Sequence, residues 1–382
     1  MFTIGIDIRV LAPGARTGVE EYTINLLTHL LPLDPGVKYK LFYNAFSKAK
    51  LNYSWIKLPN VELIDLKIPN RVLFAGTKYL NQPKINELLG GVDIYFNPHF
   101  FTAPVSKKCR KVVTFHDLSF KRYPQYFSWR KRIWQIFLID ALKEACQADK
   151  IIAVSESTKS DLINLYHINS DKIKIIYSGV GEHFRLINGE QAIKNDVVKK
   201  YKLPDKFILY FGTIEPRKNI AGLIKAFEIL KDNKNMLELK LVLAGAMGWL
   251  YKNIIKTAQA SKYHQDIIFT GFIEEQDKPY LYNLAQLFVY PSFFEGFGFP
   301  LLEAMACGIP AIVSHNSSLP EVVGDAALMI DPYRLNEMSW AMNEILTNSA
   351  TRERMIKKGF SRVQKFSWQK CAEETLEVLL CE

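Results

Sequence analysis

The residues best suited to chemistry follow directly on apolar, strand-like runs. After FILYFG (207–212) comes Thr213-Ile214-Glu215-Pro216-Arg217-Lys218-Asn219, which opens a helical pattern. Two adjacent cations at a helix N-terminus oppose the helix macrodipole, so the placement is locally unfavourable unless an anion is held there. Arginine gives a fork of donors and lysine a mobile point charge, together suited to a diphosphate; solvated charge is the competing reading. After LFVYPS (287–292) comes Phe293-Phe294-Glu295-Gly296-Phe297-Gly298-Phe299-Pro300-Leu301-Leu302-Glu303-Ala304. Pro300 suits a first helical turn, which leaves Glu295 in the preceding loop and Glu303 about one turn inside the helix. Gly296 and Gly298 let backbone amides approach a ligand closely. This loop offers acceptors to sugar hydroxyls together with N–H donors. Two carboxylates also fit a glycoside hydrolase, but diphosphate-type cations at a neighbouring strand end argue against hydrolysis.

Two further strand ends carry polar groups. His116-Asp117 follows KVVTF. A histidine there can donate to a substrate hydroxyl or shuttle a proton, and equally can be structural. APGARTGVEEY follows the first strand, with Gly14 and Gly18. A glycine loop leading into a helix can present N–H groups to a phosphate, and it also fits a plain turn. GxGxxG and GxxxxGK[ST] loops do not occur, so dinucleotide and P-loop readings lose support.

These strand ends need two sheets to hold them. FTIGIDIRVL, KYKLFY, VELIDL, VDIYF, KVVTF, KIIAV and KIKIIY read as short strands, with helical patterns at 19–31, 71–89, 129–147 and 156–167. Residues 181–204 are polar, break the alternation and read as an interdomain connection. The rhythm restarts with FILYFG, LKLVLAG, DIIFTG, LFVYPS and IPAIVS, and residues 351–380 read as two helices. Alternating strands and helices predict parallel sheets built from βαβ units. The expected fold class is therefore α/β with two Rossmann-like domains, 1–190 and 191–365. Ligands of such sheets bind beyond the carboxyl ends of the strands.

From here the chain resembles the retaining glycosyltransferases of family 4, which have the GT-B fold of two Rossmann-like αβα domains facing across a cleft. FGTIEPRKNI is similar to that family's diphosphate-binding segment. PSFFEGFGFPLLEAMACGIPAIVS followed by SSLPEVVGDAALMIDP is similar to its E-x7-E region. RTGVEEY and TFHDLSF match its N-domain landmarks, and the resemblance covers nearly the whole chain. It implies a nucleotide-sugar donor, GDP- or UDP-linked, on the C-terminal domain and a glycan or lipid-linked acceptor on the N-terminal one. Arg217 and Lys218 would neutralise the donor diphosphate. Glu295 and the backbone near Phe297 and Gly298 would hold the sugar, and Glu303 the ribose. Gly18 would let its loop approach the phosphate, His116 would contact the sugar near its O6 or the reacting centre, and Glu321 is a further candidate. The last helix, about 366–382, would pack back on the N-domain. A single glycine, in Thr17-Gly18, stands where many members have two, which weakens the carry-over to that loop. No cofactor and no metal are expected, because the cation pair would stabilise the leaving group. IDIRVL and TGVEEYTINLL look most similar to bacterial mannosyltransferase-like members acting on polysaccharides. The alternatives are a UDP-sugar-dependent enzyme or a non-catalytic nucleotide-sugar or glycan-binding protein.

Composition bounds the partners. The chain is 48% hydrophobic and 23% charged, which excludes disorder and low complexity. Its net charge is +10, of which +9 falls on residues 1–190. Anionic partners are expected for that half. Lys121-Arg122-Tyr123-Pro124-Gln125-Tyr126-Phe127-Ser128-Trp129-Arg130-Lys131-Arg132-Ile133-Trp134 interleaves cations with aromatics and suggests peripheral membrane contact, against the alternative of core aromatics beside solvated cations. A nucleic-acid module is not recognisable, so no nucleic-acid partner is expected. Five cysteines without CxxC spacing suit a reducing compartment. The N-terminus lacks a signal-peptide pattern and no apolar run reaches the roughly 20 residues of a membrane span. The expected location is cytoplasmic, at the inner face of the cell membrane.

Overall fold

A computed structural model describes residues 2–12, 17–45, 51–129, 140–189, 191–232 and 236–381. Contacts divide the chain into two units. The first holds Met1–Arg122, Trp129–Gly179 and Phe366–Glu382, and the second holds Tyr123–Ser128 and Val180–Lys365. The division falls at Gly179 and Val180, before the expected boundary at 190.

The first unit is built on seven parallel strands: β1 (Thr3–Asp7), β2 (Lys38–Tyr43), β3 (Val61–Asp65), β4 (Ile94–Asn97), β5 (Arg110–Phe115), β6 (Lys150–Ala153) and β7 (Ile173–Ile175). Their order is β3-β2-β1-β4-β5-β6-β7. The second has six: β8 (Phe207–Phe211), β9 (Lys240–Ala244), β10 (Ile267–Gly271), β11 (Leu287–Tyr290), β12 (Ala311–Ser314) and β13 (Leu328–Ile330), in the order β10-β9-β8-β11-β12-β13. All pairings are parallel. Central strands such as β4, β11 and β12 are buried along their whole length, which is why they read as unbroken apolar runs. In each sheet the winding reverses beside its first strand, between β1 and β4 and between β8 and β11. Such a reversal leaves a crevice at the strand ends where loops diverge and a ligand can enter.

Two elements differ from expectation. The polar stretch at 181–204 contains the helix Gln191–Tyr201, and it belongs to the second unit. Val197 and Tyr201, four residues apart, place one buried face inward while lysines cover the rest. The helical pattern at 71–89 breaks into Asn70–Ala75, a wider turn Gly76–Leu80 and Ile85–Leu88, since Pro83 lacks the N–H that a continuous helix needs.

The C-terminal helix Trp368–Leu380 packs within the first unit. Trp368 meets Tyr22 edge-on at 5.9 Å, and the Arg110 guanidinium donates to the carbonyls of Val378 and Leu379. A Cβ on Gly179 would lie 2.2 Å from the Trp368 nitrogen, so glycine is required where the helix returns.

Candidate active site

The loops after β8 and β11 start on neighbouring strands at the reversal point of the second sheet. Gly212 and Gly245 let the loops after β8 and β9 cross closely: φ is +131° at Gly245, and a Cβ there would lie 2.1 Å from the Gly212 carbonyl oxygen. The chain then turns tightly at Pro216–Lys218, and Asn219, with φ +55°, starts the helix Ile220–Lys231. Arg217 and Lys218 therefore precede this helix rather than lie in its first turn. The loop after β11 is tied to this turn. The Phe293 N–H donates to the Arg217 carbonyl at 2.9 Å, and Arg217 Nη1 donates to the Phe294 carbonyl at 2.5 Å.

This arrangement brings together Arg217, Lys218 and Glu295. Lys218 Nζ donates to Glu295 Oε1 at 2.5 Å and to the Tyr290 hydroxyl at 3.1 Å. Arg217 Nη1 donates to Glu295 Oε2 at 3.1 Å, and Arg217 Nη2 lies 3.0 Å from Glu215 Oε1. All four charged groups are nearly buried, and two cations face two carboxylates. The cation pair is thus already compensated, so its position does not by itself demand a bound anion. That corrects the macrodipole argument from the sequence, which could not place Glu215 and Glu295 against it. Burial works to raise the Glu295 pKa, but Lys218 and Arg217 outweigh it and hold the carboxyl at about 2. Burial, and then the like charge of Arg217, lower the Lys218 pKa below the ordinary lysine value.

The Glu295 loop is also anchored from the loop after β12. Ser317 Oγ accepts from the Glu295 N–H at 3.0 Å, and Ser318 Oγ faces the carbonyls of Glu295 and Phe297, 3.0 Å from each. Gly298 has φ +107°, a conformation that favours glycine, and starts the helix Phe299–Ala306. Phe297 is buried. Glu303, inside that helix, is buried and accepts from the Tyr282 hydroxyl at 2.7 Å. Glu295 and Glu303 thus occupy different surroundings, one among cations and the other beside a phenol. Glu321 lies on the short helix Leu319–Val323, where its carbonyl accepts from Arg362. Glu215, Tyr290 and the serines at 317 and 318 were missed as site residues. Their signal lay in the quoted runs TIEPRKN, LFVYPS and SSLPEVV.

His116 and Gly18 belong to the first unit. His116 Nε2 lies 2.8 Å from the Pro98 carbonyl, so it carries the proton and is not available to a substrate acceptor. Burial lowers the His116 pKa, which favours the neutral ring, with Nδ1 as the acceptor side. The neighbouring His99 ring, 5.7 Å away, is lowered by burial, and further by His116, to about 3. Gly18 is the first residue of the helix Gly18–Leu30, which Thr17 and Glu20 close with a capping box. Gly14 and its neighbours at 13–16 lie outside the described residues.

Among the described residues, no group of three or more His, Cys, Asp or Glu could hold a metal ion, and no helix is long and apolar enough to cross a membrane. In the segment 121–134, Phe127 is buried and the half-buried Tyr126 stacks on Phe293. Trp129 is 67% exposed, and Arg130 to Trp134 lie outside the described residues.

Comparison with known proteins matches residues 16–183 to "Glycosyltransferase Family 4" and residues 193–362 to "Glycosyl transferases group 1". An O-antigen chain mannosyltransferase B of Escherichia coli is 35% identical over 380 residues, covering 94% of this chain and 95% of its own. A serotype-specific mannosyltransferase WbdA of the same species is 36% identical over 242 residues, 63% of this chain and 30% of its own. Among solved structures, WaaG, a glycosyltransferase involved in lipopolysaccharide biosynthesis, superposes with a TM-score of 0.74 at 14% identity and covers both chains fully. A sucrose-phosphate synthase from Thermosynechococcus elongatus gives 0.74 at 20% identity, covering 99% of this chain and 98% of its own. At these identities the structures establish the GT-B type of fold alone.

Proposed function

This chain belongs to the family 4 glycosyltransferases, and from that premise we propose that it moves mannose from GDP-mannose, with retention, to a glycan or lipid-linked acceptor in polysaccharide synthesis. It is an enzyme, a hexosyltransferase with two parallel-sheet domains. The observation that carries the choice of sugar is the 35% identity to a named mannosyltransferase along nearly the whole of both chains.

The Arg217–Lys218–Glu295 cluster is the proposed donor site. An incoming diphosphate would exchange partners with Glu295: the cations turn to the phosphate oxygens, and the freed carboxylate accepts from sugar hydroxyls. With Lys218 and Arg217 beside it Glu295 is held ionised, as an acceptor only. Glu303 would accept from the ribose, sharing its carboxylate with Tyr282. The backbone near Phe297 and Gly298 would line the sugar. Gly18 and a neutral His116 are the proposed first-unit contacts, His116 accepting through Nδ1.

In the reaction the bond from the sugar C1 to the phosphate oxygen breaks, and its electron pair leaves with the diphosphate. The acceptor hydroxyl oxygen bonds to C1 from the leaving-group face, and its proton passes to the departing phosphate. Preorganised cations stabilise the charge that develops there.

The first unit would meet an anionic membrane. Between Leu66 and Asn86 it carries Lys67, Arg71, Lys78 and Lys84 and no acidic residue. Val72, Tyr79 and Leu80 on the same stretch are 62%, 66% and 74% exposed. A panel of GDP-, UDP- and ADP-sugars with undecaprenyl-linked glycans tests the reading. Release of GDP with transfer of mannose supports it, and turnover of a UDP-sugar alone overturns the donor.

A further inference from the structure

We infer that Tyr123 and Tyr126 are positioning residues for the loop that carries Glu295, an inference that rests on the donor-site reading above. Tyr123–Ser128 belongs to the second unit, although the residues on both sides of it belong to the first. The chain therefore crosses to the second unit for six residues and returns. A short excursion of this kind needs strong local anchors, and it has them. Pro124–Tyr126 makes a tight turn, and the Trp249 indole N–H donates to the Tyr126 carbonyl at 2.6 Å. Phe127 is buried and stacks on Trp249 with ring centroids 5.4 Å apart.

The two tyrosines on this strap grip the donor loop itself. Tyr126 lies flat on Phe293, with centroids 5.0 Å apart and an interplanar angle of 4°. Tyr333 packs on the same Phe293 ring at 4.9 Å. Tyr123 packs on Phe294 at 5.5 Å. Phe293 and Phe294 immediately precede Glu295, and their main chain is bonded to Arg217 on both sides. Stacked rings hold a loop in place through contact area and ring electrostatics, at low entropic cost. Displacing reacting groups by about 1 Å can cost about a hundredfold in rate. Losing the brace would therefore misplace Glu295 at the sugar. Glu303 is held by Tyr282 in a different element, so the ribose contact would survive.

The strap predicts a split between turnover and nucleotide affinity. The experiment measures kcat for GDP release from GDP-mannose with acceptor, and the GDP Kd by calorimetry, in wild type, Tyr126→Ala, Tyr126→Phe and Tyr333→Ala. Tyr126→Ala should lower kcat about tenfold or more and leave the GDP Kd within about threefold. Tyr126→Phe keeps the stack and should stay within about twofold. Tyr333→Ala alters a mostly exposed residue, so it reports on the brace even if Tyr126→Ala misfolds, and it should show the same split. The inference is overturned if Tyr126→Ala and Tyr333→Ala turn over like wild type. It is equally overturned if kcat and GDP affinity fall together, or if Tyr126→Phe loses as much as Tyr126→Ala. A wild type that binds neither GDP nor UDP would instead sink the donor-site reading, which keeps the two failures apart.

Discussion

Each charged side chain of the donor cluster does two jobs, and substitutions separate them. Arg217 would balance phosphate charge and also supports the Phe294 carbonyl and Glu215. Lys218 holds Glu295 and Tyr290. Arg217→Ala and Lys218→Ala are each expected to cost roughly 2–4 kcal/mol of transition-state stabilisation in kcat/KM, the size of losing one preorganised donor. Activity within twofold of wild type in both variants would remove the diphosphate assignment. Glu295→Gln leaves the two cations facing only Glu215, so GDP affinity should hold or rise while transfer is lost. Glu303→Gln should weaken GDP binding instead. Calorimetry showing the reverse pattern would reassign the two acids. At this scale the sequence was legible in part. The adjacent cations and the seven-residue gap between Glu295 and Glu303 could be read directly. That Glu295 neutralises the cations could not, because it meets them only once β8 and β11 lie side by side.

At the scale of elements, the clasp between the β8 and β11 loops sets the protonation of Lys218, and that predicts a pH dependence. A lysine binds an anion only while protonated, below its folded-state pKa. Burial lowers that pKa from 10.5, so GDP affinity should decline on an alkaline limb that lies below the ordinary lysine range. Lys218→Arg keeps the charge at all accessible pH and should move the limb upward. An unchanged limb in that variant would assign the titration to the ligand rather than to Lys218. The strands were readable because buried parallel strands are apolar throughout, and the glycine-rich loops because they punctuate those runs. The cations were read at a helix N-terminus, and the turn Pro216–Lys218 with the positive φ of Asn219 sets them just ahead of it. The helix Gln191–Tyr201 was missed because a single narrow buried face carries little periodic signal.

At the scale of the whole molecule, the basic surplus and the exposed side chains of Val72, Tyr79 and Leu80 fall in the same unit, and that makes the membrane reading testable. The protein should co-sediment with vesicles containing anionic lipid at low salt and be released as salt rises. Changing Arg71, Lys78 and Lys84 together to glutamine should reduce binding, whereas equal recovery in the supernatant with anionic and neutral vesicles would reject the contact. The sequence pointed to 121–134 for this role because interleaved cations and aromatics look alike in a membrane face and a packed strap. Only the distant partners Trp249 and Phe293 distinguish the two for Tyr126 and Phe127. The central claim is that the chain transfers mannose from GDP-mannose, with Lys218 stabilising the departing diphosphate. The most direct test incubates the protein and its Lys218→Ala variant with GDP-mannose and an undecaprenyl-linked glycan in the presence of EDTA, and follows GDP release together with mannose incorporation. The account predicts matched release and incorporation by wild type, undiminished by the chelator, and a rate lower by about thirtyfold or more in Lys218→Ala. GDP-mannose bound without release, or equal rates in the two proteins, would contradict it.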